Sequence, residues 1–148
     1  MSRKPVEEGG CQCGKVRYAL YQPPRRASIC HCRMCQKATG NYFAPLANVE
    51  IGDFEVTKGE MTTFASSTIA TRGFCRDCGT PLTFGYVELP DISVMMGSLD
   101  NPDCIAPSKQ FGLEARSIHL DTALSNEAHV TEDLMPEEWA AKLTNLQK

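Results

Sequence analysis

Long apolar runs are the first thing this sequence lacks. No stretch approaches the roughly 20 residues that a membrane-spanning helix requires. The opening "MSRKPVEEGGCQCG" holds no apolar segment of the kind a secretory signal uses. Blocks of like charge are missing too. The densest basic cluster is Arg25-Arg26 and the net charge is −3, which argues against a nucleic-acid footprint. There is no long-period repeat and no low-complexity segment. Together these absences point to a protein of the cytoplasm, away from membranes and nucleic acid, where thiols stay reduced.

What is present suits one folded unit. The chain has 148 residues, 42% of them hydrophobic, enough for one real core and too few for two comfortable ones. Residues 1–148 are therefore read as a single domain. Short alternations of apolar and polar residues dominate. "KVRYAL" places Val16, Tyr18 and Leu20 on one strand face, and "DFEVTKGEMTTFASS" reads as two strands around a Lys58-Gly59-Glu60 turn. "TPLTFGYV" and "DISVMMGSL" continue the period of two through Leu82, Phe84, Ile92, Val94 and Met96. Short strands at this spacing predict a mainly β domain.

Two helices are expected. A short one begins within the "CHCRMC" knot. The other is "PEEWAAKLTNLQK", with Pro136 at the first helical position and Glu137 and Glu138 at the positive end of the dipole. Trp139, Leu143 and Leu146 would share one face and dock it on the sheet. "YQPPRRAS" reads as a stiff connection between the first strand and the knot.

The eight cysteines carry the chemistry, and in a reducing compartment they read as metal ligands before disulfides. Cys75 and Cys78, followed by Gly79, form a knuckle in which two intervening residues let both sulfurs reach one ion. The glycine suits the positive φ at the exit of such a turn. A tetrahedral structural zinc wants four ligands, and "GGCQCG" supplies Cys11 and Cys13. On an extended strand those two would stand about 7 Å apart, so a bend at Gly9, Gly10 or Gly14 is required. Cys11, Cys13, Cys75 and Cys78 make up the expected structural zinc site, a clip across more than sixty residues that stabilises the fold.

Cys30, Cys32 and Cys35 remain together. Cys32 and Cys35 can face the same way on a helical turn. The side chain of His31 should diverge from its neighbours, and Cys104 in "DNPDCIAPS" reads as a small, half-buried hydrophobe. Three protein ligands with a fourth position free is the construction of a catalytic zinc site. Three thiolates leave a net −1 core around Zn²⁺, a weak Lewis acid that favours a further thiol as its exchangeable ligand. A positioned thiolate adding to a carbonyl is the natural reaction.

"GGCQCG", "CHCRMCQKATG", "SSTIATRGFCRDCGTPL" and "GSLDNP", in this order and spacing, resemble the glutathione-dependent formaldehyde-activating enzyme family, whose relatives include the centromere protein V group. The resemblance runs from about residue 9 to about residue 107. It implies a mainly β fold of twisted sheets, of the type shared with a small zinc-binding Rab-interacting protein, carrying short helices. It also implies two zinc ions per chain, structural on Cys11, Cys13, Cys75 and Cys78 and catalytic on Cys30, Cys32 and Cys35. The three-cysteine site is the one expected to lose its metal on purification. The implied partners are a small thiol such as glutathione and a small aldehyde, formaldehyde in the family's name reaction, which yields S-hydroxymethylglutathione.

Glutathione presents two carboxylates. Arg33, Lys37, Arg72 and Arg76 are candidate partners for them, although a solvated surface charge is the plainer reading of each. Arg72, between Ser66-Ser67 and the knuckle, is placed with the site residues. Downstream, many members read approximately "HIFVxSxxPW" where this chain has "KQFGLEARSIHL". Gln110 stands in place of the histidine and His119 approximately in place of the tryptophan, and this tail borders the expected pocket. His31, His119 and His129 are read as structural or solvent-exposed. Two rival functions are a zinc-stabilised binding module without turnover and a thiol-based redox or metal sensor. A fourth protein ligand at the knot would favour the binding module.

Overall fold

A computed structural model describes residues 3–147. In chain order its strands are β1 (Glu7–Gly10), β2 (Arg17–Leu20), β3 (Arg26–Cys30), β4 (Ala44–Glu50), β5 (Phe54–Lys58), β6 (Thr62–Ser67), β7 (Ala70–Phe74), β8 (Pro81–Tyr86), β9 (Asp91–Met95) and β10 (Lys109–Phe111). Helix α1 (Arg33–Thr39) joins β3 to β4, and α2 (Leu120–Ser125), α3 (Thr131–Leu134) and α4 (Glu137–Ala140) follow β10. The mainly β architecture with short helices agrees with the alternating pattern of the sequence.

Two sheets form. The smaller has the order β1-β2-β5, and the larger runs β10-β3-β4-β9-β8-β7-β6. Every pairing is antiparallel except that of β10, which lies parallel to β3. Side chains alternate between the faces of a sheet, and β4 shows what each face does. Ala47 and Val49 join Val94, Leu82, Val16 and the small sheet's Tyr18 and Leu20 in the main core. Ala44 and Leu46 join Met95 in a second cluster on the opposite face, where Cys30, Cys32 and Cys35 pack. Cys11 and Cys75 belong to the first cluster. The large sheet therefore separates the two cysteine groups.

Four local expectations are sharpened or corrected. The two strands around Lys58-Gly59-Glu60 are present as expected, and because β5 pairs with β2 and β6 with β7 the turn passes the chain between sheets. Each strand has its aromatic partner elsewhere, since Phe54 packs 5.4 Å from Tyr18 and Phe64 packs 5.9 Å from Phe74. The second correction concerns "YQPPRRAS", whose Arg26, Ala27 and Ser28 already belong to β3. Third, Gly9 and Gly10 do not bend the chain. They are strand residues paired with Tyr18 and Arg17.

The C-terminal helix is present, as the single turn α4, and the fourth correction is that it does not dock. Trp139, Leu143 and Leu146 are 66%, 65% and 77% exposed. A segment this short is marginal as a helix without tertiary packing, whatever its periodicity. Among the described residues no helix is long and apolar enough to cross a membrane.

Candidate metal centre

The four-cysteine group is built from two turns. Cys11 and Cys13 lie in the β1–β2 connection, Cys75 and Cys78 in the β7–β8 connection. Gly14 (φ 71°) and Gly79 (φ 77°) donate their N–H groups back to the carbonyls of Cys11 and Cys75. Positive φ at these exits is the conformation glycine adopts without steric cost. The Gln12 N–H donates to the Thr80 hydroxyl at 3.0 Å and ties the turns together.

All four sulfurs lie within 4.8 Å of one another. Cys11 to Cys13 is 3.5 Å and Cys13 to Cys75 is 3.9 Å. A tetrahedron with metal–sulfur distances of about 2.3 Å has edges of about 3.8 Å. The spacing fits. The Val16 N–H donates to the Cys11 sulfur at 3.3 Å, and the Thr80 hydroxyl lies 3.2 Å from the Cys78 sulfur. Burial pushes the Cys78 thiol up, but hydrogen bonds from Thr80 and Cys13 outweigh it and bring it down to about 6.

The three-cysteine group sits where β3 runs into α1. Cys30 ends the strand, and Cys32 is the N-cap of the helix, its sulfur accepting from the Cys35 N–H at 3.4 Å. Cys35 lies inside the first turn and is buried. The three sulfurs are within 4.8 Å of one another, and among the described residues neither Cys104 nor a histidine joins them. Cys104 packs against the main core, across the sheet. Burial, followed by the adjacent Cys35 and Cys32, pushes the Cys30 thiol up to about 12 despite a lowering backbone hydrogen bond. Thiols this close resist ionising together unless a cation joins them. The donor set fits a soft divalent metal with one position lacking a protein ligand.

His31 diverges as expected. Its ring is fully buried, edge-on to Phe43, with Nε2 2.9 Å from the Gln110 amide oxygen. The tail closes over the knot from this side. The His31 N–H donates to the Phe111 carbonyl at 2.8 Å. The Gln36 side-chain amide bridges the carbonyls of His31 and Ala115, at 2.8 Å each. Gly112 (φ 69°) presses against the backbone of Cys32, where a Cβ would collide. His119 is exposed just before α2, and His129 is exposed as well.

The four candidate cations part company. Arg33 and Lys37 line a cleft of about 610 Å³ between α1 and the Ala115–Ile118 tail, so the tail does border a cavity. Arg76 is exposed in the knuckle of the four-cysteine group. Arg72 is not a surface charge. It is 4% exposed, donating from Nε to the Ser66 hydroxyl at 2.9 Å and from Nη2 to the Cys35 sulfur at 3.3 Å. Its guanidinium carbon stands 4.8 Å from the centre of the Phe84 ring. Arg72 and Lys37 also line a second cleft of about 410 Å³. Sequence reasoning missed Ser66, Gln36 and Gly112 as supports of the knot. Only the glycine carried a signal, as an isolated turn former at the end of the short strand β10.

Comparison with known proteins gives relatives and a family. An uncharacterized lyase of Schizosaccharomyces pombe is 29% identical over 84 residues, 57% of this chain and 61% of that relative's length. The crystal structure of a Rhodobacter sphaeroides protein superposes with a TM-score of 0.56 at 26% identity, covering 70% of this chain and 98% of that one. A family model described as glutathione-dependent formaldehyde-activating enzyme matches residues 6–114. That span holds both cysteine groups, Arg72 and, through Gly112, the first part of the tail that closes over the knot. It reaches further at both ends than the motifs alone suggest. The chain belongs to the glutathione-dependent formaldehyde-activating enzyme family.

Proposed function

We propose that the protein is a zinc-dependent carbon–sulfur lyase that joins a small thiol, glutathione or a relative of it, to a small aldehyde. The observation that carries this reading is the three-thiol group of Cys30, Cys32 and Cys35 without a fourth protein donor among the described residues. The lyase name of the yeast relative supports the reaction class. In this reading Cys11, Cys13, Cys75 and Cys78 hold a structural zinc, and Cys30, Cys32 and Cys35 hold the catalytic one.

Zinc, when bound at the three-cysteine site, supplies a soft Lewis acid that keeps an added thiol ionised near neutral pH. The chain's own residues do the rest. Cys32 and Cys35 are fixed by the helix start, and Cys30 by its place at the end of β3. Arg33 and Lys37, on the 610 Å³ cleft, suit the carboxylates of a peptide thiol. In the addition the sulfur lone pair forms the S–C bond, the carbonyl π pair moves to oxygen, and the resulting alkoxide takes a proton from solvent. Arg72, placed with the catalytic residues, adds positive charge on the side where negative charge gathers.

The test is zinc per chain and thiol titration on the wild type and on Cys32→Ser, with thiol–aldehyde adduct formation measured above the uncatalysed background. About two equivalents should fall to about one with the fold retained, and the catalysed excess should vanish. One equivalent in the wild type, unchanged by Cys32→Ser, would sink the reading.

A further inference from the structure

Among the described residues Arg72 is the one buried lysine or arginine. A guanidinium removed from water needs an opposite charge beside it, or its burial is strongly unfavourable. No carboxylate lies within ion-pair distance of it among the described residues. The Ser66 hydroxyl accepts from Nε, the Phe84 ring lies under the plane, and Nη1 has no partner among the described residues. The remaining polar contact is Nη2 on the Cys35 sulfur. The group able to carry the balancing charge is therefore the cysteine cluster.

The count of charges agrees. A divalent metal with three thiolates carries −1, and one guanidinium brings the assembly to zero. The four-cysteine group on the other face is served differently. Its sulfurs take hydrogen bonds from a backbone N–H and a threonine hydroxyl, and the nearby Lys15 and Arg76 are exposed.

We infer that Arg72 is the built-in counter-ion of the three-cysteine site, gripping Cys35 through a charge-assisted N–H···S bond so that the site retains its metal with only three protein ligands. The inference rests on reading that group as a metal site. Arg72 acts through Cys35 and is a positioning residue in this role. The bond also draws electron density from the Cys35 sulfur and leaves the metal a stronger acceptor than three free thiolates would. A thiolate arriving at the fourth position brings a further negative charge, which the same guanidinium offsets in part.

The test exchanges zinc for Co²⁺ and follows the sulfur-to-cobalt charge-transfer absorption in the wild type, Arg72→Met, Arg72→Gln and Arg72→Lys. Cys32→Ser identifies which equivalent belongs to the three-cysteine site. In the two neutral variants that equivalent should bind about 10- to 100-fold more weakly, the usual range for loss of a group supporting a metal ligand. Its band should move to longer wavelength, because an unbonded sulfur lone pair lies higher in energy. Lysine keeps the charge and should recover most of the affinity, while the four-cysteine equivalent stays unchanged throughout.

Unchanged affinity and an unshifted band in both neutral variants would overturn the inference. Loss of both equivalents in Met and Gln alike would also overturn it, making Arg72 a residue of the fold. If the wild type takes one equivalent and Cys32→Ser changes nothing, the metal reading itself has failed. That outcome is distinct from the other two.

Discussion

The two cysteine groups are made of the same atoms and supported in different ways. The four-cysteine group joins two turns that lie more than sixty residues apart and is completed by its own donors. Its sulfurs are steadied by local backbone and hydroxyl groups. The three-cysteine group is local in sequence, a strand end and one helical turn, yet its support is remote. Arg72 comes from β7, the tail segment from beyond β10, and Phe84 from β8. A ligand set that is complete by itself needs little around it. One that leaves a position free needs a shell to hold shape and charge in place of the missing donor.

The comparison breaks most sharply at Cys75, which is fully buried in the main core. On the proposed reading, in which this group holds a structural metal, Cys75→Ser should remove a clip across the fold, lowering stability by about 3 kcal/mol or more. Thermal unfolding should show an early or absent transition, with both metals lost together. A cooperative transition near the wild-type temperature would mean that the four-cysteine group is dispensable for folding.

Gly112→Ala tests the other side. The residue has positive φ and its new methyl group meets the Cys32 backbone. The substitution should cost about 1–3 kcal/mol and disturb the three-cysteine group while sparing the other. Graded chelation should then remove one metal equivalent from the variant earlier than from the wild type, the second leaving at the wild-type chelator concentration. An unaltered order and concentration for both equivalents would show that the tail does not support the knot.

The smallest effect is electrostatic and lies on the four-cysteine face. The Arg17 guanidinium, through a hydrogen bond and then its charge, holds the Asp100 carboxyl below the ordinary carboxylate range, against a raising effect of burial. A depressed folded value means that the stabilisation is present above the unfolded pKa of about 3.9 and is lost as pH falls through the folded value. The pair should therefore contribute at neutral pH and fade below about pH 4. With the Asp100 side chain 53% exposed, solvent screening keeps the contribution under about 1 kcal/mol. Asp100→Asn should flatten that part of the acid-unfolding curve and leave the order of metal loss unchanged. An identical curve would assign the acid loss to other carboxylates.

Much of this was legible from the residues. Alternation around Val16, Tyr18 and Leu20 marked a strand that is indeed buried, and the spacing of seven cysteines divided them as the structure does. Gly79 announced its turn. The errors arose where periodicity had to stand in for packing. Trp139, Leu143 and Leu146 form an apolar stripe on paper, but no surface of the sheet receives it. β5 and β6 do flank the expected turn, and their assignment to different sheets is a pairing that no local pattern carries. Arg72 stands with the site residues on sequence grounds, yet its plainer reading as a solvated charge fails, because a single sequence shows the residue and not its depth.

The sequence by itself determined which donors exist and in what groups, because ligand identity and short spacings are local properties of a chain. It also determined the mainly β class, because side-chain alternation has a period of two wherever a strand forms. Only the tertiary structure decided that the two groups lie on opposite faces of one sheet. It alone brought Arg72, thirty or more residues downstream and held by Ser66, against Cys35. Long-range strand order and burial are set by competition among all the apolar surfaces at once, and no local window contains that competition.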